Sequence, residues 1–119
     1  MDFKKQKPIY RQIADTICRR IVDGEWDIGE RIPSVRDIAV QLGVNPNTVM
    51  RAFDFLQNGD IIHMRRGMGY YVSDEAVSKI AEMHRQDFLT DELPELVQKM
   101  KLINLTFDDL KKICEDEKF

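Results

Sequence analysis

The chain has 119 residues, of which 43% are hydrophobic and 33% charged, and its net charge is −3. This length suits one small domain with an appendage, and the composition excludes a disordered chain. No apolar run approaches the ~20 residues that span a bilayer, and residues 1–5 resemble no signal segment and lead straight into a helix. Cys18 and Cys114 lack a metal-binding or redox spacing, so we expect reduced thiols and a cytoplasmic protein.

The charges are segregated along the chain. Residues 1–73 carry 11 Lys and Arg against 9 Asp and Glu, whereas residues 74–119 carry 7 against 12. This asymmetry favours two modules, of which the first is the better suited to a polyanion. We therefore predict one domain over residues 1–73 and a separate segment over residues 74–119.

Two helices are predicted near the start of the chain. Pro8 opens the first, in which apolar residues recur every fourth position over residues 9–21, and Gly24 ends it. In the loop that follows, we expect the indole side chain of Trp26 to pack against the core. Ser34 is a typical capping residue for a second helix, which Gly43 ends.

A third helix begins with polar residues and continues with apolar ones. Asn45 is a typical N-cap residue, and Pro46 suits the first helical position because its missing N–H costs nothing there. Asn47, Thr48 and Arg51 then place hydrogen-bonding groups on the first turns. Such a helix can pack on a core and still offer its N-terminal end to a groove.

Two strand-like runs follow, at residues 61–64 and 70–72, around a turn that contains Gly67 and Gly69. Arg65 and Arg66 place two cations at this turn. Three helices followed by a hairpin is the order of elements in a winged helix-turn-helix domain, in which one helix enters a DNA groove and the hairpin forms the wing.

Residues 74–119 return to a helical pattern with two amphipathic stripes, and Pro94 predicts a break near residues 90–92. Short helices cannot bury two stripes by themselves, so we expect them to pair with the same segment of a second chain. The alternative is that they fold back on the first helix of their own chain. The predicted dimerisation residues are Val77, Ile80, His84, Phe88, Leu93, Leu96, Val97 and Met100.

Four motifs carry a resemblance to a known family: Pro-Ile-Tyr-Arg-Gln-Ile at 8–13, Pro-Ser-Val-Arg at 33–36, Leu-Gly-Val-Asn-Pro-Asn-Thr-Val at 42–49 and Arg-Arg-Gly-Met-Gly-Tyr-Tyr-Val at 65–72. In this order the stretch resembles the DNA-binding domain of GntR-family bacterial transcription regulators, and the short helical remainder resembles the small YtrA-type branch. The resemblance implies an α+β, mostly helical fold with an N-terminal winged helix-turn-helix and a short C-terminal helical dimerisation segment. It also implies a homodimer, expected to be a repressor of a pseudo-palindromic operator.

The resemblance also implies which residues meet DNA. The third helix would enter the major groove, where Asn47 and Met50 reach base edges while Thr48 and Arg51 bind phosphate. Arg36 matches a family position that contacts DNA, and the arginines of the wing approach the backbone or the minor groove. The predicted DNA-binding residues are Arg36, Asn45, Asn47, Thr48, Met50, Arg51, Arg65, Arg66 and Gly67.

These assignments have structural alternatives. Asn47 could serve only to solvate the start of the helix, and Arg36 could form an intramolecular ion pair. Arg51 could instead pair with Asp54 or pack on Phe55. The wing arginines could simply be solvated.

Two other classes of function compete with a DNA-binding regulator. A winged-helix protein-interaction adaptor is the alternative, although an adaptor would not require arginines beside polar residues on the third helix. An enzyme is not expected, because His63 and His84 lie in no metal-binding spacing and no nucleophile–base pair can be nominated. We therefore predict no catalytic residue, no metal site and no cofactor. The expected partners are double-stranded DNA and a second copy of the chain, and a small-molecule effector stays unidentified.

Overall fold

The structure is a computed structural model that describes residues 7–117, and the predicted entry over residues 1–5 lies outside them. Its elements are helices α1 (Ile9–Val22), α2 (Val35–Leu42) and α3 (Pro46–Asn58), strands β1 (Ile62–Arg65) and β2 (Gly69–Val72), helix α4 (Ala76–Asp87), a π-helical turn (Phe88–Glu92), and helices α5 (Leu93–Leu102) and α6 (Phe107–Asp116). The predicted mostly helical fold with a small hairpin is confirmed. None of the helices in this range is long and apolar enough to cross a membrane.

The chain forms two compact units. The N-terminal unit ends at Met83 and the C-terminal unit begins at His84, whereas the sequence pattern placed the change at residue 74. The difference arises because Ala76 and Ile80, on the first turns of α4, are buried in the core of the N-terminal unit. Apolar periodicity identified the helix but not the body against which its first turns pack.

The ends of α2 and α3 follow from their capping residues. The Ser34 side chain accepts the backbone N–H of Asp37 at 3.1 Å, and the Asn45 side chain accepts the N–H of Asn47 at 2.8 Å. Gly43 adopts a left-handed conformation, with φ of 66°, after the last turn of α2. A glycine meets little steric cost there, so the chain turns sharply from α2 into α3.

The inner face of α3 forms the centre of the N-terminal core. Val49, Phe53 and Leu56 are fully buried there, together with residues of α1, α2 and the hairpin. Trp26 is also buried, which confirms that the loop after α1 is anchored by its indole. Burying a large apolar side chain contributes about 1.5–3 kcal/mol, so this face fixes the orientation of α3 and leaves its polar side outside.

The wing is wider than a two-stranded hairpin. Strands β1 and β2 pair antiparallel with Arg65 opposite Gly69. On the other edge of β2, Arg31 forms an isolated bridge with Tyr71, and the Ile32 N–H donates to the Tyr70 carbonyl at 2.9 Å. The loop before α2 therefore ties the wing to the helix-turn-helix.

The C-terminal unit contrasts with this packing, because none of its described side chains is buried. The expected break takes the form of the π-helical turn, in which the Leu93 N–H bonds to the Phe88 carbonyl. This wider turn precedes Pro94, which lacks an N–H to donate to the preceding turn. Thr106 caps the start of α6 and forms a reciprocal capping box with Asp109.

The two cysteines are free and differ in environment. Cys18 is fully buried in α1, whereas Cys114 is exposed on α6. Burial raises the pKa of the Cys18 thiol to about 12, because the low-dielectric core disfavours the thiolate. Cys18 is thus a neutral core residue.

Candidate nucleic-acid interface

The N-terminal end of α3 presents its polar residues outward. Asn47 and Arg51 are exposed, Thr48 is half-buried, and Met50 is 41% exposed. This orientation follows from the inner face of the helix, since the intervening positions are buried in the core. A helix end of this kind can offer side chains to a groove.

Asn45 and Asn47 have different tasks. The side-chain oxygen of Asn45 accepts the Asn47 N–H, so Asn45 builds the helix end. Within residues 7–117 the side-chain amide of Asn47 forms no hydrogen bond. It retains both a donor and an acceptor for an external group.

Within residues 7–117, Arg51 forms no ion pair with Asp54 and no cation–π contact with Phe55. Its guanidinium carbon lies 4.4 Å from the centre of the Tyr10 ring. Phe55 instead meets Arg11, at 4.3 Å, and the edge of Tyr10, with ring centres 6.1 Å apart. Since α1 supplies Tyr10, the partner of Arg51 depends on how α1 and α3 pack.

Met50 links α3 to the wing. The Tyr70 hydroxyl donates weakly to the Met50 sulfur at 4.0 Å, and the Tyr70 ring packs edge-on against Phe53 with centroids 4.9 Å apart. Tyr70 of β2 therefore helps to hold the Met50 side chain in place, while part of that side chain stays exposed.

The tip of the wing is a short turn rich in cations. Arg66 and Gly67 are exposed, and Gly67 has φ of 75°, a conformation that favours glycine. The guanidinium carbon of Arg65 lies 4.2 Å from the centre of the Tyr71 ring. The turn thus brings two arginines together with a backbone that lacks bulk at its apex.

Arg31 is a candidate contact residue that the sequence analysis missed. Its exposed side chain crosses Gly69 so closely that a Cβ there would lie 2.8 Å from the Arg31 Nε. Its bridge with Tyr71 adds a third arginine to the wing. Local sequence could not reveal this placement, because the pairing joins segments about 40 residues apart.

Five exposed arginines that lie on α2, on the loop before it, on α3 and on the wing have no carboxylate partner within residues 7–117, and we call them the arginine set. The predicted alternative for Arg36, an ion pair with a neighbouring acidic residue, does not form among these residues. Cations that are not neutralised by a carboxylate can neutralise phosphates and release counterions. The arginine set consists of Arg31, Arg36, Arg51, Arg65 and Arg66.

The predicted dimerisation residues fall into two groups. Ile80 is only 2% exposed in the N-terminal core, so its side chain is not available to a second chain. Val77, also in the N-terminal unit, is half exposed. In the C-terminal unit the remaining positions are exposed or partly exposed: His84, Phe88, Leu93, Leu96, Val97 and Met100.

Three helices, a wing and an arginine set without carboxylate partners in the described part of the chain define a winged helix-turn-helix domain suited to DNA. The family model described as bacterial regulatory proteins, gntR family, matches residues 9–72. The chain therefore belongs to the GntR family and is a DNA-binding transcriptional regulator, close to the YtrA-type branch.

Individual relatives support the same assignment over most of the chain. The HTH-type transcriptional regulator YhcF of Bacillus subtilis is 36% identical over 108 residues, which cover 91% of this chain and 88% of that protein. The HTH-type transcriptional repressor YtrA of the same organism is 32% identical over 97 residues, covering 82% and 74%. A GntR-family regulator from Bacteroides thetaiotaomicron has a similar structure, with a TM-score of 0.80 at 34% identity, covering 92% of this chain and 95% of that one.

Proposed function

We propose that this regulator is a homodimeric repressor that binds a pseudo-palindromic operator through α3 and the wing. The observation that carries the proposal is the arginine set, which has no carboxylate partner in the described part of the chain. The name of YtrA as a transcriptional repressor supports repression as the outcome of binding. A dimer seated on a promoter would block access to it.

Each element would make a different kind of contact. On α3, Asn47 would read adenine and Met50 would touch a thymine methyl, while Arg51 would bind phosphate. Arg36 would add a phosphate contact from α2. The wing arginines would approach the backbone or the minor groove beside the site of α3.

Dimerisation is proposed from the C-terminal unit. Short isolated helices are marginal in water unless an amphipathic face is packed, and here no described side chain is buried. The exposed apolar residues include Phe88, Leu96 and Val97. A second copy of the same unit would cover such faces and give the two-fold symmetry that a palindromic site matches.

The dimer is tested by placing a charge on α5. We expect Leu96→Glu to shift the mass in light scattering from that of two chains to that of one, because the carboxylate would have to be desolvated. Gln98→Glu adds the same charge at an exposed polar position and should leave the dimer intact. A single-chain mass for the unaltered protein would reject dimerisation.

DNA binding is tested by fluorescence anisotropy with a duplex selected from a randomised pool and with random duplexes of equal length. Arg51→Ala should weaken binding to every duplex. Asn47→Ala should mainly reduce the difference in affinity between the selected and the random duplexes. Arg19→Ala, in the last turn of α1, is the control for loss of one positive charge. Equal affinity of the unaltered chain for both duplexes would reject sequence-specific binding.

Repression is tested separately with a reporter whose promoter overlaps the selected duplex. Expression should fall when the chain is present, and Arg51→Ala should restore it because promoter occupancy is lost. Higher expression in the presence of the unaltered chain would instead indicate activation.

A further inference from the structure

We propose that Tyr10 and Tyr71 are positioning residues, which hold Arg51 and Arg65 in a geometry ready for phosphate. The inference rests on the proposed function, since it takes these two arginines as DNA contacts. Its basis is that two members of the arginine set, one on α3 and one on the wing, each lie on a tyrosine ring supplied by a neighbouring element.

The first pair joins α3 to α1. The guanidinium carbon of Arg51 lies 4.4 Å from the centre of the Tyr10 ring. Tyr10 is itself half-buried and rests with its edge against Phe55, at an interplanar angle of 71°. Because the packing of α1 on α3 fixes the ring, the ring in turn restricts the guanidinium.

The second pair lies across the two strands of the wing. Arg65 is directly opposite Gly69, and its guanidinium carbon lies 4.2 Å from the ring centre of the diagonal neighbour Tyr71. Tyr71 also stacks with the His63 ring, with centroids 6.1 Å apart. The His63 Nδ1 lies 3.2 Å from the Ser73 hydroxyl oxygen, which helps to fix that ring.

A ring face holds an arginine without consuming its hydrogen bonds. The guanidinium donates in its own plane, so stacking leaves its edge available for a phosphate. Arg20 also faces an aromatic ring, with its guanidinium carbon 5.7 Å from the centre of Trp26, but it pairs with Glu25 at 3.6 Å and donates to Gln41 at 3.1 Å. Its donors serve the fold, whereas those of Arg51 and Arg65 are kept for a ligand.

The expected gain is one of preorganisation. A long side chain that is already ordered loses less entropy when it binds, and an exposed cation–π contact corresponds to about a two- to fivefold change in an equilibrium constant. The charge that meets the phosphate is unchanged by the ring. Loss of the tyrosine should therefore lower affinity while the salt dependence of binding stays the same.

The experiment is a pair of double-mutant cycles on the full chain, measured by anisotropy with the selected duplex from about 50 to 200 mM salt. We compare Tyr10→Leu in the unaltered and Arg51→Ala backgrounds, and Tyr71→Leu in the unaltered and Arg65→Ala backgrounds. Tyr10→Phe and Tyr71→Phe keep the rings and serve as rescue controls. Thermal unfolding reports whether each variant folds.

We expect each leucine variant to weaken binding about two- to fivefold, with no further loss in its arginine-deleted background and with normal affinity for the phenylalanine variant. Equal losses in both backgrounds would overturn the inference. If Tyr10→Leu fails to unfold cooperatively, the Tyr71 cycle decides alone. A different result would reject the proposed function: Arg51→Ala and Arg65→Ala would then bind the selected duplex as tightly as the unaltered chain does.

Discussion

The two units of this chain differ in how they treat their apolar residues. In the N-terminal unit a set of them forms one buried core around Phe53, and the exposed surface carries the arginine set. In the C-terminal unit every described side chain stays at least partly exposed, although Phe88, Leu96 and Phe107 are large and apolar. The first unit has a buried core of its own, whereas the second has none among its described residues.

Under the proposed function, the N-terminal unit makes the contacts that determine affinity for DNA, and the C-terminal unit provides the two-fold symmetry of the dimer. A unit that closes its own core can hold α3 and the wing in fixed positions without help. Under the proposed function, a unit that leaves its apolar faces uncovered brings two such domains together on a palindromic site. Three experiments test whether the two units have these separate roles.

The largest effect is expected from matched truncations of two phenylalanines. Phe53→Ala should destabilise the N-terminal unit by about 3–5 kcal/mol, because it leaves a cavity in a closed core. Phe88→Ala, at a side chain that is 42% exposed, should leave the unfolding of that unit unchanged and weaken the dimer. Chemical denaturation monitored by Trp26 fluorescence measures the first effect, and sedimentation the second. Equal losses of stability in the two variants would contradict the division.

The cysteines test the same contrast chemically. The thiolate is the reactive form, and the pKa of Cys18 is raised to about 12 by burial, whereas Cys114 is exposed. The folded state therefore prefers the neutral Cys18 thiol, and this contribution to stability is lost as the pH rises toward 12. At mildly alkaline pH a thiol reagent should modify Cys114 alone, and Cys18 only after denaturation. Rapid modification of both thiols in the folded chain would place Cys18 outside a closed core.

The smallest effect concerns the start of α6. Hydrogen bonds from Thr106, first from its backbone N–H and then from its side chain, lower the pKa of Asp109. The ionised carboxylate is favoured in the folded helix, so its contribution is present above the ordinary carboxyl pKa and is lost as the pH falls through the lowered value. Circular dichroism should show a small loss of helix at acid pH that Asp109→Asn removes and Asp108→Asn retains. Identical acid profiles for both variants would exclude this cap as the cause.

Much of the fold was predictable because its signals are local. The caps Ser34 and Asn45, the glycine turn after α2 and the two strands of the wing each depend on a few consecutive residues, and the structure confirms them. The buried indole of Trp26 was also expected. Where a feature is set by neighbours in sequence, residue type alone identified it.

The rest depends on packing between distant segments. Ile80 shares a helical stripe with Val77, but the periodicity could not show that the N-terminal core buries only one of them. The contact of Arg51 with Tyr10 requires the way α1 and α3 pack, and the place of Arg31 in the wing requires a non-local bridge. The sequence therefore predicted most of the candidate DNA-contact residues, but not the residues that position their side chains.

The division of labour between the units is tested most directly by the mass of the complex with the selected duplex, measured by light scattering. We predict the mass of the duplex plus two chains of 14.0 kDa each, and a lower affinity when Arg51 is replaced by alanine. A complex with a single chain, or no complex with any duplex, would contradict it.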